Sequence, residues 1–207
     1  RSGFQRESVG KESPATEGSP ELPEGWCWTT PDQVAARVTV GHVGSMKSRY
    51  CESGVPFLRS QNVRPNRFDW GGLLSIPLEF HAELEKSKVV PGDVLVVRSG
   101  SVGTACVLPE AVGEANCSDL VLVKRPRVEP NYLAYYINAG ATAEIERGKV
   151  GVALTHFNTA SVAALRVAIP PMAEQHRIVA EIDRRLSVLD ALDTTLDANL
   201  ARCAKLR

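Results

Sequence analysis

Apolar and polar residues follow three successive patterns along the chain. Residues 1–21 hold one large apolar side chain, Phe4, among Ser, Gly, Glu and Pro, and such a composition buries too little surface to offset the entropy of ordering. Residues 22–170 contain short continuous apolar runs, and residues 171–207 contain an apolar stripe at heptad spacing. These patterns predict a linker, a globular domain and a long helix, in that order.

The apolar runs of the middle segment predict strands. Residues 94–97 (VLVV) follow the turn signal Pro91-Gly-Asp, and residues 104–108 and 120–124 come next at spacings that suit a meandering sheet. Residues 55–59 form a further short extended run. Because the apolar residues in these runs are consecutive, we expect the strands to be covered on both faces.

Helix signals flank the predicted strands. Residues 30–33 (TPDQ) have the form of a capping box with proline at the first helical position. Pro130 begins an apolar pattern at i, i+3, i+4 that we expect to end near Gly148, and Asn158 or Thr159 is a candidate cap for another short helix. The predicted fold class is α+β: a twisted mixed β-sheet domain with short helices, followed by a long coiled-coil helix.

The last 35 residues, from about Ala173 to Arg207, contain neither glycine nor proline and fit a heptad frame. Seven of its eight a and d positions are apolar, and the positions are Val179, Ile182, Leu186, Leu189, Asp193, Leu196, Leu200 and Cys203. Such a helix reaches roughly 50 Å, whereas a domain of some 150 residues is about 30 Å across. We therefore predict packing against another helix through Val179, Ile182, Leu186, Leu189, Leu196 and Leu200. A helix folded back on its own sheet is the alternative.

Composition narrows the class of protein. Lysine and arginine number 24, as do aspartate and glutamate, so the net charge is zero. This balance excludes a globally basic nucleic-acid binder and leaves only local patches. The sequence has no run of 18 apolar residues and no hydrophobic signal core, so we expect a cytoplasmic protein that does not bind a membrane. Its five cysteines form no CxxC pair and are expected to be small buried residues.

The sequence lacks the usual signatures of catalysis. Gly100-Ser-Val-Gly103 is neither a GxGxxG fingerprint nor a phosphate loop, because no Lys-Ser/Thr follows it. The four histidines lie far apart without an HExxH motif, and Ser99 lacks the Gly-x-Ser-x-Gly frame of a nucleophile elbow. We therefore predict no catalytic residue, no metal and no cofactor.

Local charge favours a nucleic-acid ligand. The 31 residues from Arg37 to Arg67 contain six cations and one acid, Glu52, which is a local charge of +5. Guanidinium and ammonium groups bind phosphates, and Arg, Asn and Gln make bidentate contacts with base edges. The predicted DNA contacts in this segment are Lys47, Arg49, Arg59, Ser60, Gln61, Asn62, Arg64 and Arg67. Weaker candidates elsewhere are Arg98, Ser99, Lys149, His156 and Asn158. A solvated basic surface without a ligand is the alternative.

Four motifs carry a family resemblance. They are residues 22–26 (LPEGW), 55–62 (VPFLRSQN), 91–100 (PGDVLVVRSG) with Gly103, and 169–183 (IPPMAEQHRIVAEID). Together they resemble the specificity (S) subunit of type I restriction-modification systems, and the last motif is the most specific of them. The resemblance covers residues 22–207, so the chain is similar to one target-recognition domain with its following spacer helix.

The resemblance implies a non-catalytic DNA reader. In this family two target-recognition domains are held apart by paired antiparallel helices, and each reads one half of a split target in double-stranded DNA. The helices dock the methyltransferase (modification) subunit, and a restriction and motor subunit joins for cleavage. The expected partners of this chain are therefore DNA, those two subunits, and a second target-recognition domain or spacer helix. S-adenosylmethionine and ATP belong to the partners, so no cofactor is expected here.

Two other functions stay open. The chain could be an assembly module whose partner is a protein and whose basic loops are incidental. It could also be the recognition end of a fused adenine methyltransferase, although no Asn-Pro-Pro-Tyr motif or cofactor glycine loop lies in these 207 residues. Sequence-specific DNA recognition is the leading hypothesis.

Overall fold

The structure, a computed structural model, describes residues 21–146 and 158–205. The elements of these residues are, in chain order, β1 Cys27–Thr29, α1 Pro31–Val34, β2 Ala35–Val40, β3 Val55–Leu58, β4 Val63–Arg64, β5 Arg67–Phe68, β6 Leu74–Ile76, α2 Leu78–Glu83, β7 Lys88–Val89, β8 Val94–Val97, β9 Ala105–Val107, β10 Ala115–Cys117, β11 Leu120–Pro126, α3 Pro130–Glu146, α4 Thr159–Ala163, β12 Val167–Ile169 and α5 Met172–Lys205. The linker predicted over residues 1–21 lies, apart from Glu21, outside the described residues, as do Lys149, His156 and the predicted helix end near Gly148.

A central antiparallel sheet has the strand order β2-β11-β8-β9. Successive side chains of a strand point to opposite faces, and β8 and β11 are apolar on both. Val94, Val96, Val121 and Val123 face one core cluster, whereas Leu95, Val97, Leu120 and Leu122 face another. The prediction that these strands are covered on both faces is confirmed.

Helices cover the first face of the central sheet. Tyr132, Leu133 and Ile137 of α3 and Val162 of α4 pack against it. The Tyr132 hydroxyl donates a hydrogen bond to the carbonyl oxygen of Ala168 in β12 at 2.6 Å. This bond ties α3 to the strand that leads into the long C-terminal helix.

A second sheet covers the other face, with the order β6-β3-β10-β7. Its central pair, β3 and β10, is parallel, and the two outer pairs are antiparallel. The predicted meander is therefore wrong in one respect. β8 pairs with β9 as expected, but the chain then enters the second sheet as β10, and β11 returns to lie between β8 and β2.

The predicted starts of the short helices are confirmed at Pro31, Pro130 and Thr159. Gln33 accepts a hydrogen bond from the backbone N–H of Thr30 at 3.1 Å, which is the reciprocal half of a capping box at the start of α1. Asn158 caps α4 by accepting from the N–H of Ser161 at 2.9 Å. β1 pairs antiparallel with β12, so the beginning of the domain lies beside the start of α5.

The long helix α5 packs on the domain only through its first turns. Gln175 is buried, and its side chain accepts from the N–H of Glu129 and donates to the carbonyl of Pro170, both at 2.8 Å. Val179 is also buried in the helix-covered core cluster. Its predicted packing against a foreign helix is therefore wrong, because this side chain is already covered by its own domain.

Beyond these turns α5 leaves the domain. Ile182 is half-buried, and the stripe residues Leu186, Leu189, Leu196 and Leu200 are exposed, Leu200 by 67%. A helix folded back on its own sheet is thus not what the structure contains. Among the described residues, no helix is both long and apolar enough to cross a membrane.

Candidate nucleic-acid interface

One end of both sheets gathers the loops that carry most of the predicted DNA contacts. In the central sheet β2 and β8 end where β11 begins, because Val40 pairs with Val121 and Val97 with Leu120. In the second sheet the parallel strands β3 and β10 end together, with Leu58 opposite Cys117. The N–H of Ser118 donates to the carbonyl of Leu58 at 3.0 Å and closes this end. We call residues 41–42, 59–72, 98–104 and 118–119 the loop end.

The loop end contains eight of the thirteen predicted contacts: Arg59, Ser60, Gln61, Asn62, Arg64, Arg67, Arg98 and Ser99. Lys47 and Arg49 lie apart, in the connection to β3. That connection packs on α2, with the Arg49 guanidinium 4.7 Å from the ring centroid of Phe80. The side chain of Asn158 is occupied as the cap of α4.

A two-stranded hairpin, β4–β5, projects at the loop end. Its two exposed arginines, Arg64 and Arg67, are directly paired across the strands. The turn residue Asn66 has a left-handed backbone (φ 59°) and is held by hydrogen bonds from its N–H to the carbonyl of Ala105 (2.9 Å) and from Asn138 Nδ2 to its Oδ1 (2.5 Å). The hairpin tip is therefore a fixed platform for the two guanidinium groups.

Asp69 moderates the charge of this hairpin. Its carboxylate accepts a hydrogen bond from the Gly71 N–H at 2.8 Å and one from Arg64 Nε at 3.0 Å. These bonds, with the positive charge of Arg64 and Arg67, lower the pKa of Asp69. Arg64 is thus partly paired within the domain, whereas no described residue forms an ion pair with Arg67.

Asn62 has a different role from the predicted one. Its side chain is fully buried, donates to the carbonyls of Asp69 (2.9 Å) and Gly71 (3.2 Å), and accepts from the N–H of Arg59 (3.0 Å). A group with these bonds cannot reach a base edge unless the loop opens. The polar residue type suggested a DNA contact, but the position makes it a structural hydrogen-bonding centre.

Arg59 and Gln61 complete the frame around Asn62. The Arg59 guanidinium donates to the carbonyl of Gly72 at 2.8 Å, and Gln61 Nε2 donates to the same carbonyl at 3.3 Å. Both side chains therefore use hydrogen-bond donors within the loop itself. Gln61 remains exposed and Arg59 is half-buried.

Arg98 and Ser99 share one carboxylate. Arg98 Nη1 lies 3.4 Å from Asp119 Oδ1, and Ser99 Oγ donates to Asp119 Oδ2 at 3.2 Å. Asp119 has a left-handed backbone (φ 52°) at the turn between β10 and β11. The turn between the two sheets thus orients both predicted contacts.

Sequence reasoning missed one exposed residue at this end, Trp70. It follows the basic segment and precedes two glycines. That combination, an aromatic residue in a polar loop followed by two residues without side chains, was the available signal.

The fold occurs in solved structures of type I restriction-modification subunits. A chain from work on "complex assembly and conformational transition of the type I R-M system" matches with a TM-score of 0.66 and 24% identity, over 92% of this chain and 46% of that chain. The HsdS subunit from Thermoanaerobacter tengcongensis matches with a TM-score of 0.62 and 22% identity, over 86% and 41% respectively. The α+β prediction, with its long terminal helix, is confirmed.

The sequence assigns the family. Residues 45–202 match the type I restriction modification DNA specificity domain, and the chain belongs to this family. It is 25% identical over 201 residues to the EcoEI specificity subunit of Escherichia coli and 24% identical over 191 residues to the StySPI specificity subunit of Salmonella potsdam. The resemblance drawn from the four motifs is thus confirmed.

The match covers only part of each relative. It extends over 86% of this chain but over 32% of the EcoEI subunit and 40% of the StySPI subunit. The chain thus spans between about a third and two fifths of the length of these relatives.

Proposed function

We propose that this chain recognises one half of a bipartite target in double-stranded DNA for a type I restriction-modification complex. The observation that carries the proposal is the loop end, where two connections remote in sequence, residues 59–72 and 98–104, bring Gln61, Arg64, Arg67, Arg98 and Ser99 to the same end of the two sheets. Cations there set the register on phosphates, and polar side chains read base edges, each good bidentate pair contributing about 1–3 kcal/mol of discrimination.

We assign DNA recognition and subunit assembly to two different parts of the chain. Residues 22–170 form the target-recognition domain, and residues 171–207 form the spacer helix, whose exposed leucine stripe begins at Leu186. A row of leucines on a helix that has left its domain needs a partner to bury it. The proposed partners are a second spacer helix and the methyltransferase subunit, with a restriction and motor subunit joining the complex.

Catalysis belongs to those partners in this proposal. The relatives of this chain are named specificity subunits, and the loop end contributes cationic and polar groups that suit DNA binding. We therefore assign S-adenosylmethionine and ATP to the partner subunits, and the positioning of the DNA to this chain.

A salt titration tests the DNA assignment. Duplex binding through about five phosphate contacts gives a slope of log affinity against log salt near −4.5. An affinity that does not change with salt would contradict the placement of the basic loops.

A matched pair of variants separates DNA reading from assembly. Leu189→Gln with Leu196→Gln alters only exposed positions of α5, so it should abolish helix pairing and leave duplex affinity unchanged. Arg64→Ala with Arg67→Ala should weaken duplex binding and leave helix pairing unchanged. If the leucine variant alone lost all DNA binding, the chain would be an assembly module.

A further inference from the structure

Trp70 is exposed, although hydrogen bonds order the loop that carries it. The residue is 53% exposed, and it is the one exposed aromatic residue among those that the structure describes. Large apolar side chains are normally buried, and an exposed tryptophan in a polar setting is typical of a binding surface.

The loop that carries Trp70 is held in one conformation. Asn62 binds the carbonyls of Asp69 and Gly71, which are the residues on either side of Trp70. The Asp69 carboxylate accepts from the N–H of Gly71, and Arg59 donates to Gly72. Because these bonds order the backbone before any ligand arrives, binding costs little further entropy.

The surroundings leave the indole uncovered on its outer side. On the inner side the ring of Phe68 supports it edge to face, with 5.0 Å between the centroids and an angle of 79°. Gly71 and Gly72 follow it, and the left-handed backbone of Gly72 (φ 62°) favours glycine. Neither glycine has a side chain to shield the indole.

Cations stand next to this apolar surface. Asp69, the residue before Trp70, is bonded to Arg64, and the charge of Arg67 also acts on it. A flat apolar group close in sequence to two guanidinium groups that are paired on one hairpin matches DNA, in which apolar base surfaces lie beside lines of phosphates.

We propose that Trp70 is a specificity-determining contact of this domain: its indole touches the apolar surface of a base, while Arg64 and Arg67 bind the phosphates beside it. This role rests on the proposed function. The base surface is either a thymine methyl group in the major groove or the face of a partly unstacked base.

The test uses the full chain and a duplex selected by it from a randomised library. Affinities are measured for the selected duplex and for a scrambled duplex at several salt concentrations. Trp70→Ala should weaken binding to the selected duplex by about 5- to 100-fold and binding to the scrambled duplex by less than about threefold, with the salt slope unchanged because the contact is uncharged. Trp70→Phe should restore most of the affinity.

Two further variants serve as controls for Trp70→Ala. Arg67→Ala should weaken both duplexes equally and reduce the salt slope by about 0.9. Leu78→Ala removes another exposed apolar side chain (66%) at the start of α2, outside the loop end, and should change neither affinity. Arg67→Ala and Leu78→Ala should keep the wild-type melting temperature, because these side chains are exposed. Trp70→Phe keeps an aromatic ring on Phe68 and controls for any loss of stability in Trp70→Ala.

Two further measurements identify the base surface. A thymine whose replacement by deoxyuridine weakens the wild type but not Trp70→Ala identifies the methyl group. A rise in 2-aminopurine fluorescence with the wild type but not with Trp70→Ala identifies a base face. Absence of both effects, equal loss on the two duplexes, or no loss at all would overturn the role of Trp70. A wild-type chain that binds no duplex would overturn the proposed function itself.

Discussion

Gln175 joins the long helix to the recognition domain through the backbone of Glu129. Its Oε1 accepts the Glu129 N–H and its Nε2 donates to the carbonyl of Pro170, so one buried amide connects the residue before α3, the residue after β12 and α5. It is one of the contacts that hold the first turns of α5 on the domain, with Val179 among the others.

Gln175→Ala should therefore destabilise the domain. The change leaves a buried N–H and a buried carbonyl without partners, at a cost of about 2 kcal/mol in the free energy of unfolding. Urea denaturation measures this loss. Arg177→Ala, two residues further along the same helix, removes only an exposed ion pair to Glu174 and should cost less than about 1 kcal/mol. Equal stabilities of the two variants would contradict the role of Gln175.

Two valines of α5 distinguish the packed part of the helix from the projecting part. Val179 is 9% exposed and Val188 is 50% exposed, while the intrinsic helix-propensity change to alanine is the same. Val179→Ala should lower the free energy of unfolding by about 1.5 kcal/mol, and Val188→Ala should change it by less than about 0.5 kcal/mol. Thermal denaturation of both variants checks the difference, and a destabilising Val188→Ala would show that the helix continues along the domain.

Asn62→Ala tests whether this residue shapes the loop or reads DNA. Loss of three buried hydrogen bonds should lower stability by about 2–3 kcal/mol and speed amide exchange at Gly71. Gln61→Ala, at the exposed neighbouring position, should leave stability nearly unchanged. A stable Asn62→Ala protein with lost DNA binding would restore the original prediction of a base contact.

Buried Asp93 gives a pH dependence of defined sign. Burial raises its pKa above the usual 3.8, although the N–H groups of Val90 and Arg125 donate to it at 3.0 and 2.8 Å. The folded state thus binds the proton more tightly than the unfolded state, and this group's contribution to stability falls as pH rises from 3.8 through the folded pKa.

The comparison variant is Asp93→Asn, whose side chain does not titrate. In this variant an NH2 group replaces one carboxylate oxygen and cannot accept the backbone hydrogen bond. The resulting loss in the free energy of unfolding does not vary with pH. The free energy of unfolding of the wild type should therefore fall relative to that of the variant as pH rises from 3.8. The difference should become constant above the folded pKa. A difference that moved the other way would mean that the two hydrogen bonds outweigh burial.

The cysteines should react in two groups. Cys106 and Cys117 are buried, and burial raises the pKa of the Cys106 thiol to about 12 and raises that of Cys117 as well. Cys27 and Cys203 are exposed and Cys51 is half-buried, so the expectation that all five are buried is wrong for these three, and Cys51 belongs to neither group. Ellman's reagent at pH 8 should modify Cys27 and Cys203 in the folded protein and reach Cys106 and Cys117 only in denaturant.

The predictable parts of this fold are those with local signals. The runs at 94–97 and 120–124, the capping box at Thr30 and the heptad stripe of α5 each depend on neighbouring residues. The second sheet could not be derived in the same way, because its strands are two to four residues long and its parallel pair joins segments nearly 60 residues apart. The site follows the same rule. Residue types indicated Arg64 and Arg67, whereas the burial of Asn62 and the exposure of Trp70 depend on tertiary packing.

Parallel pairing of β3 with β10 has a consequence for how this architecture can change. It brings two strand ends to the same edge as the ends of β2 and β8, while most residues of the two larger core clusters lie in the strands and helices behind that edge. Exposed positions of these loops, such as Gln61 and Ser99, can be exchanged with little effect on the interior, whereas Asn62, Val63 and Phe68 are buried. A single scaffold of this kind can therefore present many different reading surfaces.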